Sequence, residues 1–223
     1  MIARLVDRLG RALTDRNARS YGPFEREDTA VLALSLQVDV FSFVEEWSTF
    51  CRERPAMEKF ANFLTQCRAR SLPIYHSPLS VGDDNKTSAI GTTRYLLDLR
   101  TRQLLAQGGP GADIEPALVA PSDHILAPRS GLNAFVGTGL GECFQQDRRN
   151  RLIILGGVVN ADLDSSARAA VELDFDVTVL SDLTFAYSAK DLQNTLSITL
   201  PRLVARVSET CEILDSLPDI VSD

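Results

Sequence analysis

The chain has 223 residues, 44% hydrophobic and 24% charged, with a formal charge of −7. That length fits one α/β domain with a sizeable core, and the balance is that of an ordinary globular protein. The negative charge argues against broad electrostatic binding to nucleic acid or an anionic membrane surface, and no apolar run approaches the roughly 18 residues of a spanning helix.

Residues 2–15 place Ile2, Leu5, Val6, Leu9 and Leu13 at helical spacing among arginines, which predicts an amphipathic helix. Lacking a continuous apolar stretch, it is not expected to be a secretory signal. Packing on the domain or on a partner subunit is the plain reading; Asp7 and Asp15 weaken a membrane-surface one. Residues 1–24 are therefore set apart as a helix and arm, with 25–223 forming the main domain.

TAVLALSLQ (29–37) is too continuously apolar for a half-exposed strand and predicts a buried parallel one. Residues 54–70 predict a helix with Met57, Phe60, Phe63 and Leu64 on one face, and LPIYHSP (72–78) a second strand. The long segment 79–112 is polar, then helical around TTRYLLDLRTRQLL, and closes on Gly108-Gly109-Pro110-Gly111. So long a connection suggests a lid or a subunit contact. DHILAP (123–128) predicts the third strand and GLGECFQQDRR a helix, followed by a fourth strand at 151–157, a helix at 160–174 and a fifth strand at 175–182. A helix over 190–200 and a last strand in LVARVSE complete the pattern. Alternating strands and helices imply a parallel sheet of about six strands covered on both faces, a Rossmann-type three-layer sandwich.

Cys51, Cys67, Cys143 and Cys211 are scattered, with no CxxC pair. They read as reduced thiols of a cytoplasmic protein, most of them buried, and with only two histidines no metal site is expected. Gly137, Gly139 and Gly141 miss the GxGxxG spacing by one residue, so a turn before a helix is the better reading than a dinucleotide site.

Several segments, in this order, resemble the isochorismatase-like (cysteine hydrolase) superfamily, which includes isochorismatases, nicotinamidases and ureidoacrylate-type amidohydrolases. AVLALSLQVDVF resembles the first strand, closed in the family by Asp-x-Gln. APRSGLNAFVGTGL resembles the stretch where a lysine precedes Ser-Ala-Phe-x-Gly-Thr. LIILGGVVNADLDSSARAAVELDFDVTVLSDLT resembles the region Gly-x-x-Thr-Asn-x-Cys-x-x-x-Thr-Ala and the strand after it, and LPRLVARVSETCEIL matches in pattern. The resemblance covers about residues 25 to 217 and implies the family's α/β fold, no cofactor, and a homo-oligomer.

The family's chemistry uses a cysteine nucleophile, an aspartate that takes and returns the proton, and a lysine that holds charge. Register from Gln37 puts the aspartate at Ser35; from Ala134-Phe135 the lysine falls on Arg129; from Asn160 and Ser165-Ser166-Ala167 the cysteine falls on Asp162. A serine hydroxyl is no general base near neutrality, an arginine does not give up its proton, and a carboxylate is a poor nucleophile toward an amide. Nor does the isochorismatase branch, which can dispense with the cysteine, spare the aspartate. The resemblance therefore implies a degenerate triad with no confident catalytic residue.

Arg129 and Asp162 are expected to form a salt bridge, bidentate if the geometry allows; the plain alternative is that Asp162 only caps a helix. A cis peptide at Gly157–Val158 is implied by the resemblance, with the N–H groups of Val158 and Asp162 as half of an oxyanion hole. Gln37, His76, Phe135, Gly157 and Val158 are the expected lining of a small-molecule pocket for a carboxylate or amide. His76 has an ordinary structural reading beside this one, and His124 is assigned nothing. The expectation is a binding or assembly protein on a hydrolase fold; the alternative is a divergent hydrolase working through Asp162, Asp39 or His76. A weaker third possibility is a structural subunit pairing with an active paralogue.

Overall fold

The computed structural model describes residues 22–47, 56–82 and 94–221. The expected helix at 2–15 and Cys51 lie outside the described residues. Six parallel strands form one sheet: β1 (Thr29–Leu34), β2 (Ile74–Ser77), β3 (His124–Ile125), β4 (Arg151–Gly156), β5 (Asp176–Leu180) and β6 (Arg206–Ser208), in the order β3-β2-β1-β4-β5-β6. This is the doubly wound arrangement expected from the alternation of elements. Its topological switch point lies between β1 and β4, where such sheets open a crevice beyond the carboxyl ends of the strands.

Every residue of β1 is buried, because both faces of the sheet are covered. On one face Val31, Ala33, Ile153 and Leu155 pack with Phe41 of α1 (Val38–Trp47), with Phe60, Phe63 and Leu64 of α2 (Ala56–Ala69), and with Leu96 and Leu99 of α3 (Arg94–Thr101). On the other, Leu32, Leu34, Leu152 and Ile154 pack with Phe144 of α4 (Leu140–Gln146), Ala167 and Ala170 of α5 (Asp164–Glu172) and Leu192 of α6 (Ala189–Asn194). A short α7 (Thr210–Ile213) follows β6, its start fixed by a reciprocal capping box between Glu209 and Glu212.

Three differences from the sequence pattern have physical causes. The first strand stops at Leu34 rather than at 37, since Ser35 turns the chain with φ 49°. Helix α1 is not announced by the pattern, since valines and phenylalanines weaken its helical propensity. The helix over 190–200 breaks into α6, a wider π turn (Thr195–Thr199) and a 3₁₀ turn at Pro201, which cannot donate a helical hydrogen bond. Gly137 and Gly139 do serve as a turn and helix start, with φ 73° and 70°. Of the described cysteines only Cys67 is buried, against the expectation that most would be; Cys143 is half-buried and Cys211 exposed, and all three are free thiols.

An ionic cluster ties the β3 edge of the sheet to α2. Asp123 accepts from Arg68 through both carboxylate oxygens, at 3.0 and 2.7 Å, from the Ala120 N–H at 3.0 Å, and from His76 Nε2 at 3.1 Å. Burial lowers the His76 pKa below 6.5, and Nδ1 is buried without a partner, so a second ring proton would meet no acceptor. Burial alone would raise the Asp123 carboxyl; the bonds from Arg68, Ala120 and His76 bring it below 3.8.

The signs follow from linkage. The His76 contribution is complete above pH 6.5 and is lost as pH falls from there through the lowered folded value. That of Asp123 is present above 3.8 and lost on further acidification. Unfolding free energy from urea titration should therefore fall between about pH 7.5 and about pH 5.5. The His76→Gln variant, whose Nε2 keeps a donor for Asp123 but does not titrate, should flatten that decline.

Candidate functional site

The three positions that the resemblance marks meet at the switch point. Ser35 directly follows β1, Arg129 lies on the extended chain beyond β3, and Asp162 sits in the π turn (Val159–Leu163) between β4 and α5. All three are buried, at 3, 2 and 1% exposure, so no aqueous screening acts on the charges.

The geometry is that of a closed network. Arg129 Nη2 donates to Asp162 Oδ2 at 2.7 Å and to Ser35 Oγ at 2.5 Å. Ser35 Oγ in turn donates a hydrogen bond to Asp162 Oδ2 at 2.7 Å. A hydroxyl suits this position because it accepts from the cation and donates to the anion at once. The second carboxylate oxygen, Oδ1, accepts from the Val158 N–H at 2.6 Å. The salt bridge is thus present but not bidentate: the backbone has taken the oxygen that a second guanidinium N–H would need.

The rest of the guanidinium is also engaged. Nε donates to Ser77 Oγ at 3.2 Å, and Nη1 to the carbonyls of Gly131 and Leu132 at 2.9 and 3.4 Å. Each of the five N–H donors of an arginine therefore has an acceptor here, a set that a lysine ammonium with three donors could not satisfy. Ser166 Oγ, on α5, donates to the Leu132 carbonyl at 3.3 Å and accepts from the Ala134 N–H at 3.0 Å, holding the loop that supplies these acceptors.

Local backbone shape makes room for the carboxylate. Gly156 and Gly157 have φ 77° and 65°. A Cβ on Gly156 would lie 2.2 Å from the Leu34 carbonyl oxygen, and one on Gly157 would lie 2.8 Å from Asp162 Oδ1. Only glycine combines this left-handed turn with so close an approach. The cis peptide expected at Gly157–Val158 is absent: every peptide bond among the described residues is trans. The Val158 N–H, expected to face a ligand, is instead consumed by Asp162.

The remaining expected pocket residues do not converge on this centre. Gln37 donates through Nε2 to the carbonyls of Leu79 and Ala112 and accepts the Leu79 N–H, clamping the start of α1 to two loops. His76 is sealed against Asp123 on the α2 face. Strand alternation is the reason: Ser77, not His76, points toward Arg129. Phe135 packs with Phe144 and Phe175 in the second core, and Asp39 Oδ2 accepts the Leu105 N–H at 2.7 Å.

Two tyrosines that the sequence reading did not single out lie near the ion pair. Tyr95 of α3 and Tyr187, which follows β5, meet edge to face with centroids 5.9 Å apart and share a hydrogen bond. Burial, and then the negative field of Asp162, push the Tyr95 phenol well above 10. Burial raises Tyr187 to about 12, its bond to Tyr95 opposing and Asp162 adding to the shift. Both stay protonated at neutral pH. The only advance signal was the length of the 79–112 connection. With Arg94, Asp98 and Arg102 they line a cavity of about 310 Å³. A second cavity, about 380 Å³, lies far from this chemistry between residues 23–27 and 217–219. No described helix is long and apolar enough to cross a membrane, and the described residues contain no cluster of three or more metal-ligating side chains of the His, Cys, Asp and Glu types.

A parallel sheet ordered 3-2-1-4-5-6 with an ion pair buried at its switch point defines a doubly wound α/β domain. The family model described as the isochorismatase domain matches residues 29–210, and the chain belongs to that family. It is 32% identical over 101 residues to the uncharacterized isochorismatase family protein YecD of Escherichia coli O157:H7, a match covering 45% of this chain and 53% of that protein. The match thus spans about half the length of that curated relative. The fold is similar to that of a cysteine hydrolase from Pseudomonas syringae pv. phaseolicola 1448A, with TM-score 0.69, 20% identity, and 88% and 95% of the two chains covered. An isochorismatase family protein from Burkholderia thailandensis gives 0.65 and 21%, covering 88% and 98%.

Removing Asp162 alone should leave a buried guanidinium without its counter-charge. Asp162→Ala is expected to lower unfolding free energy by about 3–5 kcal/mol in urea titration. The double replacement Arg129→Met with Asp162→Leu should cost far less than the two single changes added, because neither charge is then orphaned. Ser35→Asp, which restores the family's carboxylate, should destabilise more than Ser35→Ala, since it places a second anion about 3 Å from the first; the two midpoints compared side by side decide this.

Proposed function

We propose that this chain is an isochorismatase-family protein that does not perform the cysteine-hydrolase reaction and that retains a small-molecule pocket. The observation that carries this reading is the closed network at Ser35, Arg129 and Asp162. A hydrolase of this type needs a nucleophile, a base with a free lone pair and a cation facing substrate. Here the residues at those positions satisfy one another, and all three are buried. The divergent-hydrolase alternative finds little support in the geometry: Asp39 holds a loop N–H, His76 is sealed in an ionic cluster, and Asp162 accepts three hydrogen bonds.

The reading extends to a cytoplasmic homo-oligomer without a cofactor, binding a small carboxylate or amide rather than nucleic acid or membrane. Light scattering on the purified protein tests the assembly. For the main claim, small carboxylates, amides and isochorismate-like acids are screened by thermal shift, and each stabilising compound is assayed for turnover in wild type and in Asp162→Ala. Stabilisation without ammonia or acid release, unaffected by iodoacetamide, is the expected result. Turnover present in wild type and lost in Asp162→Ala would overturn it.

A further inference from the structure

We propose that the tyrosine-walled cavity beside the buried ion pair is a binding site for a small planar carboxylate. This deepens the proposed function, on whose retained pocket it rests. The cavity of about 310 Å³ lies at the lower end of the usual range for small-molecule sites, about 300–1,000 Å³. One wall is made by Tyr95 and Tyr187, two half-buried aromatic side chains that offer flat apolar surface and hydroxyl groups. The lining also carries two guanidinium groups, those of Arg94 and Arg102. Arg94 is exposed at the first position of α3; Arg102 is paired at 3.1 Å with Asp98, the one carboxylate among the described lining residues.

These groups select by chemistry. A guanidinium fork matches the two oxygens of a carboxylate, whereas a carboxamide presents only one acceptor and loses the charge attraction. Protonated phenols neither repel an anion nor compete for the cation, and their raised pKa values keep them protonated throughout the neutral range. Behind them, Arg129 pairs with Asp162 and offsets part of the negative field that reaches the phenols. The rings favour a flat ligand over a puckered one, since planar faces stack with greater contact. Among the described lining residues, a molecule held here meets phenols, arginines and the paired Asp98.

The test uses the full chain and three probes of similar size: benzoate, cyclohexanecarboxylate and benzamide, titrated by calorimetry. Benzoate should bind at least tenfold more tightly than benzamide and measurably more tightly than cyclohexanecarboxylate. Arg94→Ala, an exposed change that leaves the thermal midpoint of the free protein in place, should weaken benzoate at least tenfold and benzamide little. Tyr187→Leu should erase the difference between benzoate and cyclohexanecarboxylate while keeping the preference for acid over amide. No benzoate binding at millimolar concentration, equal binding of benzamide, or unchanged affinity in Arg94→Ala would each overturn the inference. Ammonia released from benzamide would overturn the non-hydrolytic reading instead, and the ratio of benzoate to benzamide affinity still decides this one.

Discussion

A charged pair that cannot reach water sets the terms for everything at the carboxyl ends of β1 and β4. Desolvating a guanidinium and a carboxylate is costly, and their mutual attraction offsets that only if the remaining donors and acceptors are filled. The structure shows the consequence in its neighbours. Ser35 is a hydroxyl because the position must both accept and donate. Ser77 and two loop carbonyls are drawn to the far side of Arg129. Two consecutive glycines take left-handed conformations so that the Val158 N–H can reach Asp162. The π turn widens the start of the helix that carries Asp162. The pair contributes little net stability by such arithmetic; what it contributes is a demand for one particular arrangement of the strand ends.

The same pair shapes the surface above it. A lone buried Asp162 would cast a strong negative field on Tyr95 and Tyr187; a lone Arg129 would do the reverse. Together they leave a residual field that, after burial, raises both phenols and so holds them as neutral hydroxyls. The strand ends at the switch point thus carry a paired cation and anion beneath two neutral phenols.

Much of this was legible in the sequence because it rests on periodicity and on register. Continuous apolar runs at 29–37 and 151–157 read as buried strands, and the resemblance to the family's motifs, counted from Gln37, Ala134 and Asn160, brought Ser35, Arg129 and Asp162 to one place. What counting could not supply is direction and competition. Whether His76 or Ser77 faces Arg129 depends on which face of β2 each residue takes, and the polar pair alone does not say. That Asp162 uses one oxygen for the backbone, leaving a single contact with Arg129, depends on the glycine turn bringing an N–H within reach. Phe135 reads as a pocket residue by its neighbours in the motif, yet a cluster of phenylalanines from α4 and the approach to β5 claims it for the core. Tyr95 and Tyr187 are 92 positions apart with no shared pattern, so only the fold brings them together.

The charge economy of the site explains why three substitutions go together. A sheet of this kind, with one cation at its switch point, requires one anion nearby, and that anion can hang from the end of β1 or from the turn after β4. With the carboxylate at Asp162, an aspartate at 35 would be a second anion facing a single guanidinium, which is why a small neutral hydroxyl belongs there. With the carboxylate in the helix turn, the cation must reach it across the pocket and fill its remaining donors on loop carbonyls, a geometry that a planar five-donor group meets and an ammonium does not. A carboxylate at 35 would set a second anion on one guanidinium, loss of the one at 162 would orphan Arg129, and a lysine at 129 would leave loop carbonyls without donors. The arrangement holds together as a set, in which the hydroxyl, the guanidinium and the carboxylate each satisfy the others.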